Sequence, residues 1–286
     1  MTPIAVGIDV GGTGIKAALV DTSTGELAST RIRIATPDGG EPDAVAAVCK
    51  DLLDQLRAPS DARVGVCLPA VVAHGITRSA ANISNNWIDF GAEDLLTAAL
   101  NRKVHVLNDA DAAGVAEMTY GAGRNASGVT ILATLGTGIG SALFIDKTLV
   151  PNTEFGHLDI GEYIDIESYA SYGAFQRDQI SQEQWGKRLE KFFAHLEKLF
   201  SPDLFIVGGG ASKSHEEFFP FVKVKTQLVP AETKNAAGII GAATMAVQYI
   251  KVRWVGRYAG FCNAEALTAI YLGHKLLSGS SDLPED

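Results

Sequence analysis

A glycine-centred pattern occurs twice in this chain: Gly12-Thr13-Gly14-Ile15 followed by Ala18 and Leu19, and Gly136-Thr137-Gly138-Ile139 followed by Ala142 and Leu143. Six of the eight positions match at a separation of 124 residues, which is the length of an ordinary domain. Each copy is flanked by β-branched and apolar runs, IAVGIDV and IKAALV around the first, VTILATL and IGSALFI around the second. Such runs read as strand, glycine turn, strand. Repeated at domain spacing, that unit predicts two related lobes with their turns facing one another.

The chain has 286 residues, enough for two lobes to bury separate cores. With 33 acidic against 24 basic residues and a formal charge of −9, it lacks the broad positive field that would hold nucleic acid or an anionic membrane surface. An anionic ligand must then be held locally, by backbone N–H groups and a few placed cations. Cys49, Cys67 and Cys262 form no Cys-x-x-Cys pair, so a reducing, cytoplasmic setting is expected, with no disulfide framework. The apolar stretch from Ile4 is broken by Asp9 and has no basic leader, so no signal peptide is read there. The uncharged run Ala236 to Ile250 is too short for a bilayer and reads as a buried helix.

Further along, LASTRIRI alternates as a third strand after the first hairpin. A helix is expected from Pro42 through Val45, Val48, Leu52 and Leu56, then the buried strand RVGVCL before Pro69. A helix over 92–100 leads into the strand VHVLND, which ends in a polar pair, and the next helix is expected from Asp111, which caps it. A charged helix over 182–200, the strand LFIVGGG and a small-residue helix from Asn235 complete the second half.

The turn from Asp9 to Lys16 uses small residues, so successive N–H groups can point at a phosphate without interference from Cβ atoms. It is not a Walker loop, because Lys16 lies in a strand and does not open a helix. A strand also follows where a dinucleotide fingerprint needs a helix. Asp109, at the tip of a strand beside Asn108, is placed where α/β proteins bind ligands, and its carboxylate can take a proton from a substrate hydroxyl.

In order, DVGGTGIK, SAAN with Trp87 after it, LNDADAAG, LGTGIGSALF, LVPNTEFGH and LFIVGGG resemble the ROK sugar kinases over roughly residues 4 to 247. Within that family the likeness is to the bacterial polyphosphate-using glucokinases and glucomannokinases. The resemblance implies an α/β actin-like ATPase (ribonuclease H-like) fold with two lobes and an interlobe active-site cleft. Residues 1–109 would form the N-terminal lobe and 110–250 the C-terminal lobe, the last helix being a candidate to return to the first. Residues 251–286 would be an appended tail.

It also implies a hexokinase that moves a phosphoryl group from inorganic polyphosphate or ATP, with Mg²⁺, to the 6-hydroxyl of glucose, Asp109 being the catalytic base. Asp9, Gly11, Gly12, Thr13, Gly14 and Lys16 would hold the transferred phosphate, with Asp9 near the metal. Gly136, Thr137 and Gly138 would hold the other phosphates, and Gly208, Gly209 and Gly210 the rest of the donor. Glu154 and His157, in E-x-G-H, would bind the sugar hydroxyls, joined by Asn82 and Asn108. The partners implied are the hexose, the donor and a second copy of the chain in a homodimer. With no cysteine between Cys67 and Cys262, no structural zinc is expected. Ala70 stands where the family usually has glycine, and Asp159 where the polyphosphate users tend to have glutamate. A kinase for another hexose or an N-acetylhexosamine, and a catalytically weak sugar-binding relative, are the alternative readings. A repressor of the same family would need a DNA-binding module before Ile4.

Overall fold

A computed structural model describes residues 4–259 of the chain, with side chains to 248. The first repeat forms the hairpin β1 (Ile4–Gly11) and β2 (Gly14–Asp21), closed by Gly11 opposite Gly14. Against β2 lie two short pieces, β3 (Glu26–Leu27) and β4 (Ile32–Ile34), where one continuous strand was expected. The break has a local cause: the Ser29 hydroxyl accepts the Leu19 N–H at 3.0 Å, replacing the carbonyl a continuing strand would offer.

Helix α1 (Pro42–Leu56) follows, then β5 (Arg63–Leu68), which pairs parallel to β1. A small hairpin of β6 (Val72–Ala73) and β7 (Ile76–Thr77) precedes α2 (Ala92–Leu100) and β8 (Val104–Asn108), whose parallel pairing with β5 gives the order β3-β2-β1-β5-β8. The helices α1 and α2 cover one face of this sheet, burying Val45, Leu52, Leu96 and Trp87 against Val6, Ile8 and Val66.

The second repeat builds the same pattern. After α3 (Asp109–Thr119) come β9 (Val129–Leu135) and β10 (Ile139–Ile145), an antiparallel hairpin extended by β11 (Thr148–Val150). Short helices α4 (Glu167–Ala170) and α5 (Tyr172–Asp178) lead to α6 (Gln182–Phe200). Strand β12 (Leu204–Gly208) pairs parallel to β9, as β5 does to β1. Then come α7 (His215–Phe218) and β13 (Gln227–Pro230), completing the order β11-β10-β9-β12-β13. Ser181 and Gln184 close a capping box at the start of α6, and its apolar residues at spacings of three and four, Trp185, Leu189, Phe192, Phe193 and Leu196, are fully buried. Each such side chain contributes about 1.5–3 kcal/mol of burial.

The final helix, α8 (Ala237–Ala259), packs its beginning, around Ile239 and Ala242, on the first sheet. Gly7 in β1 and Gly65 in β5 make that possible, since a Cβ on either would overlap the carbonyl oxygen of Ile239 or Ala242. By its contacts the chain divides after Ala246, and the first unit holds both sheets. Beyond it the structure describes the continuation of α8, which runs past the expected boundary at 250; the tail from 260 to 286 lies outside the described residues. No helix among the described residues is long and apolar enough to cross a membrane.

Candidate active site

Asn108, not Asp111, caps α3. Its Oδ1 accepts the N–H groups of Ala110 (2.8 Å) and Asp111 (3.0 Å), so the helix begins two residues earlier than expected. Asparagine serves as well as aspartate in that position, and β8 ends one residue sooner than the polar pair suggested. Asp111 is drawn inward, with its Oδ2 accepting the Asn152 N–H at 2.8 Å. Asp109 becomes the first helical residue; its Oδ1 accepts the Ala110 N–H at 2.8 Å, and its side chain lines the cleft beyond.

That cleft has a volume of about 800 Å³. One wall comes from loops of the first sheet, Pro69–Val71 and Ser79–Asn82, with Asn108 and Asp109 between them. The other comes from the second repeat turn, Gly136–Gly140, together with Glu154, His157, Glu167 and Gly209. Of the residues expected in the site, Asn82, Asn108, Asp109, Gly136, Thr137, Gly138, Glu154, His157 and Gly209 are brought together here. Asp9, Gly11, Gly12, Thr13, Gly14, Lys16, Gly208 and Gly210 do not line it. The first turn nevertheless abuts its edge, because a Cβ on Gly12 would touch the backbone and Cβ of Asn82. Lys16 Nζ is paired with Asp9 Oδ2 at 3.0 Å, and Arg33, a cation the sequence reading passed over, donates to the Thr13 carbonyl at 2.7 Å.

Electrostatics set Asp109 and Asp111 apart from the other carboxyls of the site. Although water reaches the Asp109 carboxylate, protein encloses it on most sides, and this desolvation, reinforced by the negative charge of Asp9, pushes its pKa up to about 7. The Ala110 N–H opposes the shift. Asp111 is likewise pushed up to about 7, chiefly by burial, with Glu154 and Asp109 adding to it. Burial also raises Glu154, against the pull of His157. The His157 imidazole is raised by its hydrogen bond to Asp165, Nδ1 to Oδ1 at 3.0 Å. Asn108 donates one amide N–H to the Ala70 carbonyl at 3.2 Å and keeps a second for a ligand.

Glu167 was not anticipated. Its Oε2 accepts the Ile139 N–H at 2.9 Å and lies against Gly138, so a lone acid from a stretch without a motif joins the cleft wall. A second cavity, about 830 Å³, opens beside β13 and is lined by Ser212, Lys213, His215, Ala231 and Lys234 among others. The loop after β12 reaches both spaces, with Gly209 in the cleft and Ser212 and Lys213 in the cavity.

The profile of the ROK family matches residues 5–168. A polyphosphate glucokinase of Mycobacterium tuberculosis is 43% identical over 244 residues, covering 84% of this chain and 90% of the relative. Among solved structures, the inorganic polyphosphate/ATP-glucomannokinase from Arthrobacter sp. strain KM is 45% identical and superposes with a TM-score of 0.81, covering 86% of this chain and 99% of that one. A ROK family glucokinase from Streptomyces griseus, solved with glucose and AMPPNP, shares the fold at a TM-score of 0.71 and 24% identity, over 86% and 99% of the two chains.

Proposed function

Because the chain belongs to the ROK family, we propose that it is a polyphosphate- and ATP-dependent glucokinase that phosphorylates the 6-hydroxyl of glucose. The observation that carries this is the placement of Asp109 between a glycine turn and the E-x-G-H loop, in a chain 43% identical to a polyphosphate glucokinase over 84% of its length. Sugar hydroxyls would be held by Glu154, His157 and Glu167 on one side and by Asn82 and the spare amide N–H of Asn108 on the other. Groups built to accept and donate to hydroxyls reject analogues that lack them. Asp109 then faces the attacking hydroxyl and removes its proton as the oxygen engages phosphorus.

The N–H groups of Gly136–Gly138 are suited to the donor's phosphates, with the turn at Gly11–Gly14 closing the far edge. A hard divalent cation would be held beside Asp9 by displacing the Lys16 ammonium that its Oδ2 binds at 3.0 Å. The negative charge of Asp9 raises the proton affinity of Asp109, and Asp9 offers carboxylate oxygens of the kind such a cation takes. Mg²⁺ held there would neutralise charge on the phosphoryl oxygens. A cytoplasmic location and a homodimeric state belong to the same proposal. The test is a coupled assay for glucose 6-phosphate with polyphosphate and ATP supplied separately. Product with both is expected; no product with either, or product only from a different hexose, overturns the reading.

A further inference from the structure

Glu154 and His157 sit on a loop that begins at Pro151, and Asn152 fastens that loop to the opposite wall of the cleft. The Asn152 Oδ1 accepts the Val72 N–H and its Nδ2 donates to the Val72 carbonyl, both at 2.8 Å. This is a two-point bond between residues 80 apart in sequence, made to Val72, the residue that directly follows the Pro69–Val71 segment lining the cleft. Asn152 is itself held from below by the Asp111 carboxylate, which accepts its backbone N–H at 2.8 Å. On the far side, Ser141 donates to the Thr153 carbonyl at 2.6 Å and accepts the Phe155 N–H at 2.9 Å. Glu154 therefore hangs between two fixed points, and the Asn152 one crosses from wall to wall. Asp111 is 2% exposed, and its second oxygen has no hydrogen-bond partner among the described residues. A buried carboxyl kept half-satisfied carries a cost that needs a reason.

We propose that Asn152, seated by Asp111, is the positioning residue that sets the width of the sugar pocket by clamping the Glu154–His157 loop to Val72, at the end of the Pro69–Val71 wall. This rests on the sugar-binding reading of that loop. Asn152 has a φ of 62°, a left-handed conformation, so Asn152→Gly removes the clamp while keeping the backbone unstrained. Losing two well-made hydrogen bonds is expected to raise the glucose KM by about 10- to 100-fold, with the donor KM unchanged within about twofold. Asp111→Asn should stay near wild type, because an amide oxygen still accepts the Asn152 N–H, whereas Asp111→Ala should mimic Asn152→Gly. The double variant should be no worse than either single one, the sign of two residues acting through one contact.

Glu154→Gln measured alongside separates the two levels of the argument. If it leaves the glucose KM untouched, the sugar reading of the loop fails. If it raises that KM while Asn152→Gly does not, the clamp alone is overturned, as it is if Asn152→Gly weakens donor and sugar equally. Should Asn152→Gly fail to fold, the contrast between Asp111→Asn and Asp111→Ala decides, and equal KM values for those two reject the proposal.

Discussion

At Asp109 the demands of folding and of chemistry conflict. Its proton is held more tightly in the folded state, at about 7, than in the unfolded chain, near 3.8. Between those values the native state binds more protons, so stability falls as pH rises through this window, and ionised Asp109 weighs against the fold at neutral pH. Asp109→Asn should consequently keep the fold, with a Tm at pH 8 equal to or above wild type, while kcat drops by roughly 10²–10⁴ as general-base catalysis is lost. The wild-type kcat/KM should fall as pH drops below about 7, because the base must be deprotonated to act. A variant that turns over at wild-type rate, or a profile flat from pH 8 to pH 5.5, would reject the assignment. Residues of this kind were unevenly legible. Asp109 was readable because it follows a strand and precedes a helix. The cap was assigned to Asp111 because several polar residues in a row, Asn108, Asp109 and Asp111, compete for one role, and composition does not say where the strand ends. Asn152 and Glu167 act through contacts 80 and 28 residues away in sequence, which no local pattern encodes.

Among the elements, those with strong periodicity were read to the residue. The bounds of α2 and α6 are the ones expected, since each has an apolar stripe and clear end signals. The third strand failed because alternation in LASTRIRI says nothing about a serine hydroxyl competing for a ladder hydrogen bond. Glycines, which look alike in sequence, separate into two kinds once the elements are packed. Gly65 lets α8 lie on β5, and Gly65→Ala should cost about 1–3 kcal/mol through overpacking against backbone that has little room to move. Gly136 has open space where a Cβ would stand, so packing does not require it. Gly136→Ala should leave the Tm within a degree or two, by the rule that substitutions outside the core shift stability by about 0.5 kcal/mol at most. Its donor KM should rise severalfold, since a methyl would stand where phosphate approaches. A large loss of Tm in Gly136→Ala, or none in Gly65→Ala, would show the two roles to be misassigned; both are read by thermal melts alongside donor titrations.

For the molecule as a whole, the difficulty is to attract a polyanion to a chain carrying a net −9. Screening limits that repulsion to about 8–10 Å at physiological salt, so contacts made by nearby cations decide affinity. Two cations are committed elsewhere: Lys16 to Asp9, and Arg124 to Glu232 at 2.6 Å. Lys213 and Lys234 remain exposed on the second cavity and form no ion pair among the described residues, and the Gly208–Ser214 loop connects that cavity to the cleft. A donor whose remaining phosphates lie at Gly136–Gly138 could follow that loop to them. Polyphosphate would place several charges along such a path, whereas ATP ends in an uncharged base that the apolar lining of Ala122, Val229 and Ala231 suits better. Each phosphate neutralised by a cation adds to the salt dependence of binding. The polyphosphate KM should therefore climb more steeply with ionic strength than the ATP KM, and the pair Lys213→Ala with Lys234→Ala should flatten the polyphosphate slope while changing the ATP slope less. Steady-state assays with each donor from low to physiological salt would measure both slopes. Parallel slopes for the two donors, or a polyphosphate slope untouched by removing both lysines, would mean that the chain is held along some other path.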